Sequence, residues 1–367
     1  MSKRRLVLED GTVMDGIGFG YQGEVNGEMI FNTGMTGYEH VLSDPSYCGQ
    51  LVVMTSPKIG TNGINQNDCM SAYLNGLIVK DYGNSPNSSQ NAKDLNSFLL
   101  DQQIPGLANI DTRMLTKHIR QFGTLKGSIV DVDTPIDMTI KKLKNVKDSS
   151  DQVQRVSTQK PYVIPGKGSN IVVIDLGMKL SILRELTARD CQVTVVPYNY
   201  SADQIIRLKP DGIFITSGPG NPKNLPETIA TIQQLPRHIP VFGIGLGHQV
   251  MALGFGAETE KMLYGHHGNN YPVKDLLKQK SYMTSQNHLY SVSRNSLQNT
   301  DLEITHIGLN DDAIEGLRHK SYSYFSVQFQ PEGKPGPEDM HYLYDEFLTA
   351  IQHDQAKNKE DMYVEKY

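Results

Sequence analysis

Residues 240–249, PVFGIGLGHQ, have the layout of a strand, a sharp turn and the start of a helix. Glycines two places before and two places after a central residue form the pattern of a nucleophile elbow. Small neighbours there let the backbone turn tightly and present the middle side chain at a helix N-terminus. A thiolate or alkoxide so placed would be stabilised by the helix dipole and by adjacent backbone N–H groups. The middle residue is Gly245, which has no nucleophile to present. Two plainer readings compete. One is a turn that lets a helix pack closely on a sheet. The other is a dinucleotide loop, but His248 stands where that fingerprint requires its third glycine. On pattern alone the packing turn is favoured.

Two further loops carry groups of interest. Gly218-Pro219-Gly220-Asn221-Pro222 follows an apolar run, and its backbone N–H groups suit a carboxylate or amide, although Pro-Gly loops are more often simple turns. Gln330-Pro331-Glu332 follows another strand-like run. An acid two residues beyond a histidine base would orient that base, but Gln330 cannot take up and return a proton. Read alone, Glu332 is a solvated loop carboxylate. His248, His266, His267 and His288 lack metal-ligand spacing, so no metal is expected. Cys48, Cys69 and Cys191 lack flanking elbows and read as small buried hydrophobes.

These loops need a scaffold, and the hydrophobic pattern supplies one. From Leu6 to about Val132, short strand-like runs (6–8, 29–31 and 50–54) alternate with turns, with hairpin signals at Asp10-Gly11 and Asn26-Gly27. A helix is expected over 111–121, capped by Asp111, with Leu115, Ile119 and Phe122 at helical spacing. The stretch to about Ser169 turns polar. Beyond it, apolar runs at 171–175, 192–196 and 212–215 alternate with helical patterns at 179–189 and 202–208, which argues for a mainly parallel sheet covered by helices on both faces. Ligands of such sheets bind at the strands' carboxyl ends, where the three loops fall. The expected class is therefore α/β, with a mostly-β N-terminal domain at 1–150, a linker at 151–168, a second domain at 169–355 and a fraying polar tail at 356–367.

The 367 residues suffice for two cores. A net charge of −5 without basic blocks argues against nucleic acid. The apolar run near the N-terminus is too short for a signal peptide, and three scattered cysteines fit a reducing compartment, so a cytoplasmic location is expected. Residues 239–257 are apolar but interrupted by His248, Gln249 and glycines, and read as strand, turn and helix rather than as a membrane span.

Over nearly its whole length the chain resembles the small, glutamine-hydrolysing subunit of carbamoyl phosphate synthetase. In the first half the likeness rests on 31–38 (FNTGMTGY), 44–47 (DPSY) and 110–113 (IDTR). In the second it rests on 217–222 (SGPGNP), 247–249 (GHQ), 284–288 (TSQNH) and 328–332 (QFQPE), motifs shared with class I glutamine amidotransferases. The resemblance implies a subunit that attacks the glutamine side-chain amide with a cysteine and passes ammonia to a large subunit. That partner makes carbamoyl phosphate, for arginine and pyrimidine synthesis, from bicarbonate with ATP and magnesium. It implies no cofactor in this chain, and docking of the large subunit through the N-terminal domain. Carried over by position, glutamine contacts fall to Ser46, Gly218, Gly220, Leu246, Gln249 and Asn287, with Leu289 and Tyr290 continuing the last segment.

The catalytic centre departs from the pattern. The family's cysteine falls on Gly245 and its histidine on Gln330, and only the acid, Glu332, matches. Leu289 stands where glycine is usual and His267 where arginine is common. The expectation is a small subunit with a silent glutaminase centre and a structural or regulatory role beside a large subunit fed by free ammonia. The alternatives are a glutaminase using another nucleophile, with Cys48 the least improbable, and a free-standing glutamine-binding protein.

Overall fold

The computed structural model describes residues 2–65, 69–83 and 92–364. The chain forms two compact units, Met1–Gln152 with Met262–Asn270, and Val153–Lys261 with Tyr271–Tyr367.

In the first unit seven strands close into a barrel, in the order Lys3–Leu8, Val13–Gly20, Pro105–Ala108, Gly76–Ile78, Gln50–Met54, Val25–Asn32 and Lys126–Asp131. Leu6, Leu8, Met29, Phe31, Leu51, Val53 and Ile129 recur at period two and form its core. Asp10-Gly11 makes the expected hairpin: Gly11 has φ +97° and Asp10 Oδ1 accepts from the Thr12 N–H at 2.9 Å. Asn26-Gly27 does not, because both residues lie inside a strand. A Cβ on Gly27 would stand 2.7 Å from the Gly49 carbonyl oxygen, so this glycine allows close strand approach rather than a turn. The expected helix spans Thr112–Phe122, and Asp111 caps it by accepting from the Met114 N–H at 2.9 Å. Leu115 and Ile119 are buried, but Phe122, at the helix end, is 57% exposed.

The second unit is built on a ten-stranded sheet. At its centre lie five parallel strands, in the order Gln192–Pro197, Asn170–Asp175, Gly212–Ile215, Val241–Ile244 and Tyr324–Val327. Their unbroken apolar runs reflect burial on both faces. Ile171 and Val173 join one hydrophobic core, Val172 and Ile174 the other. The sequence reading did not foresee the antiparallel extension, which adds Tyr162–Ile164 at one edge and Ile314–His319, Leu302–Gly308, Thr259–Asp275 and Lys280–Val292 at the other. The stretch read as a linker carries the helix Gln152–Val156 and that first edge strand. The last helix, Tyr342–Val364, continues through most of the segment read as a tail. Among the described residues, no helix is long and apolar enough to cross a membrane.

Candidate functional site

The parallel strands deliver their loops to one end of the sheet, and the elbow stands there. The strand Val241–Ile244 runs into Gly245, and the helix Leu246–Gly254 follows at once. Gly245 has φ +58° and ψ −112°, a conformation only glycine adopts without strain. Its N–H donates to the Val327 carbonyl at 2.9 Å and its carbonyl accepts from the Gln249 N–H at 3.2 Å. The flanking glycines are demanded by packing. A Cβ on Gly247 would lie 2.3 Å from the Ile215 carbonyl oxygen, and one on Gly243 2.6 Å from the Met251 sulfur. Position 245 differs, since a Cβ there would meet the Ser217 Cβ at 3.2 Å and the Gln328 carbonyl oxygen at 3.8 Å. The fold thus retains the bend of an elbow, with near-room for a side chain, and supplies none.

Beside it runs the loop after Gly212–Ile215. A Cβ on Gly218 would fall 2.2 Å from the Leu176 carbonyl oxygen, which fixes glycine there, while Gly220 has φ +89°. The Leu176 N–H in turn donates to Thr216 Oγ1 at 2.9 Å. The Ser217 hydroxyl is buried and has no hydrogen-bond partner among the described residues. Leu246 occupies the first turn of its helix, where backbone N–H groups lack intrahelical acceptors. The side-chain nitrogen of Gln249 donates to the Tyr290 carbonyl at 2.7 Å and to Gln328 Oε1 at 2.9 Å, tying the elbow helix to the strand Lys280–Val292. On that strand Leu289 is buried while Asn287 and Tyr290 are half-buried. Ser46 belongs to the first unit, in the turn Pro45–Tyr47, where Asp44 Oδ1 accepts from its N–H at 2.9 Å.

Gln330 is buried and pinned by its N–H donating to the Ser285 carbonyl at 2.9 Å. Its side-chain oxygen accepts from Lys179 Nζ, also at 2.9 Å. Glu332 is not the solvated carboxylate its loop context suggests: it is fully buried, with Oε1 3.0 Å from the same ammonium. The angle at that contact is too poor for a hydrogen bond, so the attraction is chiefly between charges. Lys179 Nζ also donates to the Lys334 carbonyl at 2.5 Å. The cation that faces Glu332 is therefore the Lys179 ammonium.

Sequence reasoning missed Lys179. Its signal was position, since it follows the carboxyl end of Asn170–Asp175 by four residues. Asp175 shapes the connection: Oδ1 accepts from the N–H groups of Gly177 (2.9 Å) and Met178 (2.8 Å), and Oδ2 from that of Thr158 (2.7 Å). Burial pushes its carboxyl pKa up, and the three hydrogen bonds pull against that rise.

The histidines and cysteines the sequence singles out are each held or buried. His248 Nδ1 pairs with Ser326 Oγ at 2.9 Å, and burial, followed by the charge of His306, lowers its pKa to about 3. An imidazole that binds a proton so weakly is neutral at pH 7 and a poor base. His288 has both ring nitrogens engaged, with the Tyr290 carbonyl (2.9 Å) and with Gln286 Oε1 (3.0 Å). Cys48 is 3% exposed in the first unit. Cys69 is also buried, and burial raises the Cys191 thiol pKa, which disfavours the thiolate needed for attack.

Comparison with known proteins gives two family matches, "Carbamoyl-phosphate synthase small chain, CPSase domain" over residues 6–129 and "Glutamine amidotransferase class-I" over residues 172–350. A carbamoyl phosphate synthase small chain of Oceanobacillus iheyensis is 54% identical over 366 residues, covering 99% of this chain and all of the relative. One of Bacillus cereus (strain ATCC 14579) is 51% identical over 360 residues, covering 98% of each. A carbamoyl phosphate synthase pyrimidine-specific small chain of Bacillus subtilis (strain 168) is 49% identical over 352 residues, covering 95% of this chain and 96% of that one.

Proposed function

The chain belongs to the carbamoyl phosphate synthase small chain family, with a class I glutamine amidotransferase domain, and on that premise we propose that it partners a large subunit without hydrolysing glutamine itself. In this reading the large subunit draws on free ammonia, and uses ATP, magnesium and bicarbonate that this chain does not bind. The chain's own role is structural or regulatory, and its product pool serves pyrimidine or arginine synthesis.

The observation that carries the reading is the state of the two positions that must act together. Gly245 adopts the elbow bend without a nucleophile, and Gln330 is hydrogen-bonded to Lys179 with no ability to relay a proton. Covalent amide hydrolysis needs an attacking thiolate, a base to generate it and an acid for the leaving amine. Nucleophile and base function as one unit, so keeping Glu332 does not restore either step. Within the second unit, glutamine could still be gripped by the backbone around Gly218, Gly220 and Leu246 and by Gln249, Asn287, Leu289 and Tyr290, which would leave a binding site without turnover.

Incubation with 6-diazo-5-oxonorleucine, a glutamine analogue that alkylates amidotransferase cysteines, tests the reading by peptide mass spectrometry. No adduct is expected at any residue, Cys48 included. A stoichiometric adduct blocked by glutamine would identify a working nucleophile and end the proposal.

A further inference from the structure

Three residues of the second unit share a hydrogen-bond chain whose polarity is fixed at one end. The Tyr290 carbonyl can only accept, so the Gln249 atom 2.7 Å from it is the side-chain nitrogen. The second proton of that nitrogen goes to Gln328, 2.9 Å away, and the atom receiving it must be Oε1. Turning the Gln249 amide over would set its oxygen against the Tyr290 carbonyl. Both protons are thus committed, and Oε1 is the group that Gln249 has left to offer. Gln249 stands in the first turn of the helix after the elbow, its backbone N–H bonded to the Gly245 carbonyl at 3.2 Å.

The far end of the chain is costly. Gln328 is 2% exposed, and its Nε2 has no hydrogen-bond partner among the described residues. A buried donor left open in this way destabilises a fold, and an apolar residue of similar size would remove the cost. The backbone does not account for an amide here, since the Gln328 N–H donates to the Glu315 carbonyl at 2.9 Å whatever the side chain. What the amide supplies is the second acceptor for Gln249.

We propose that Gln328 is a positioning residue: it locks the Gln249 amide with Oε1 presented to the ligand, so that the site selects a molecule bringing an N–H donor. The inference rests on the reading that glutamine still occupies the site. Glutamine carries two such donors, its side-chain amide and its ammonium.

Calorimetric titration of the full chain with glutamine, glutamate and glutaramate tests this. Glutamine is expected to bind saturably, and Gln328→Leu to weaken it roughly tenfold. In a Gln249→Ala background the loss should vanish, because no amide is left to orient, whereas a packing role would cost the same in both. Gln328→Glu, which keeps an oxygen facing Gln249, should restore most of the affinity, with circular dichroism confirming the fold of each variant. Glutamate lacks the amide N–H and glutaramate the ammonium, so the analogue without the donor that Gln249 meets should bind Gln328→Leu and the unaltered chain equally. Equal losses in the two backgrounds, or no glutamine binding by the unaltered chain, would overturn the proposal. Neither result bears on turnover, which glutamate release reads separately.

Discussion

The Lys179 ammonium lies 3.0 Å from a carboxylate oxygen of Glu332, and both side chains are buried. The contact ties the loop after the first central strand to the loop after the last. Two charges removed from water are tolerable only together, and removing one leaves the other uncompensated. Lys179→Met should therefore destabilise the chain by about 3–5 kcal/mol, read as a lower urea midpoint. Adding Glu332→Gln should recover much of the loss. If Lys179→Met proves neutral, the pair contributes nothing to the fold.

Gly245→Cys tests how the elbow depends on glycine. The φ of +58° with ψ −112° strains any L residue, and the new Cβ would stand 3.2 Å from that of Ser217. A loss of about 1–3 kcal/mol is expected, without change of fold.

The same variant probes the chemistry. Alone it should release little glutamate from glutamine, because Gln330 offers the thiol no base. Gly245→Cys with Gln330→His should release more, provided the imidazole displaces Lys179 from its contact at position 330. Full hydrolysis by the single variant would mean that the histidine's replacement was never disabling.

His248 gives the stability a pH dependence of definite sign. Its pKa falls from the ordinary 6.5 to about 3 in the folded chain, first because of burial and then because of His306. The unfolded chain therefore binds the extra proton below about pH 6.5, and the stability held above that pH declines toward pH 3. This one group adds a slope of up to about 1.4 kcal/mol per pH unit. Urea midpoints measured from pH 7.5 to 5 should fall, and His248→Gln should flatten the trend; equal slopes in both proteins would refute the assignment.

Much of the second unit was legible because a strand buried on both faces writes an unbroken apolar run. Gln192–Pro197 and Gly212–Ile215 were read to within a residue. The antiparallel extension was not legible, since strands such as Thr259–Asp275 mix exposed and buried positions without a clean period. Asn26-Gly27 misled because a glycine that admits a neighbouring strand has the same letter as one that turns the chain. At the site, the glycine spacing foretold the sharp strand-to-helix bend at Gly245. The burial of Glu332 and its pairing with Lys179 depend on two loops 153 positions apart in sequence (332 − 179), which no local pattern encodes.

The most direct test of the central claim is carbamoyl phosphate synthesis by this chain reconstituted with its large subunit, at saturating ATP and bicarbonate, with glutamine and ammonium compared as nitrogen donors. Synthesis with ammonium and none above background with glutamine is the predicted result. Synthesis supported by glutamine at a comparable rate would contradict it, and would require a nucleophile other than residue 245.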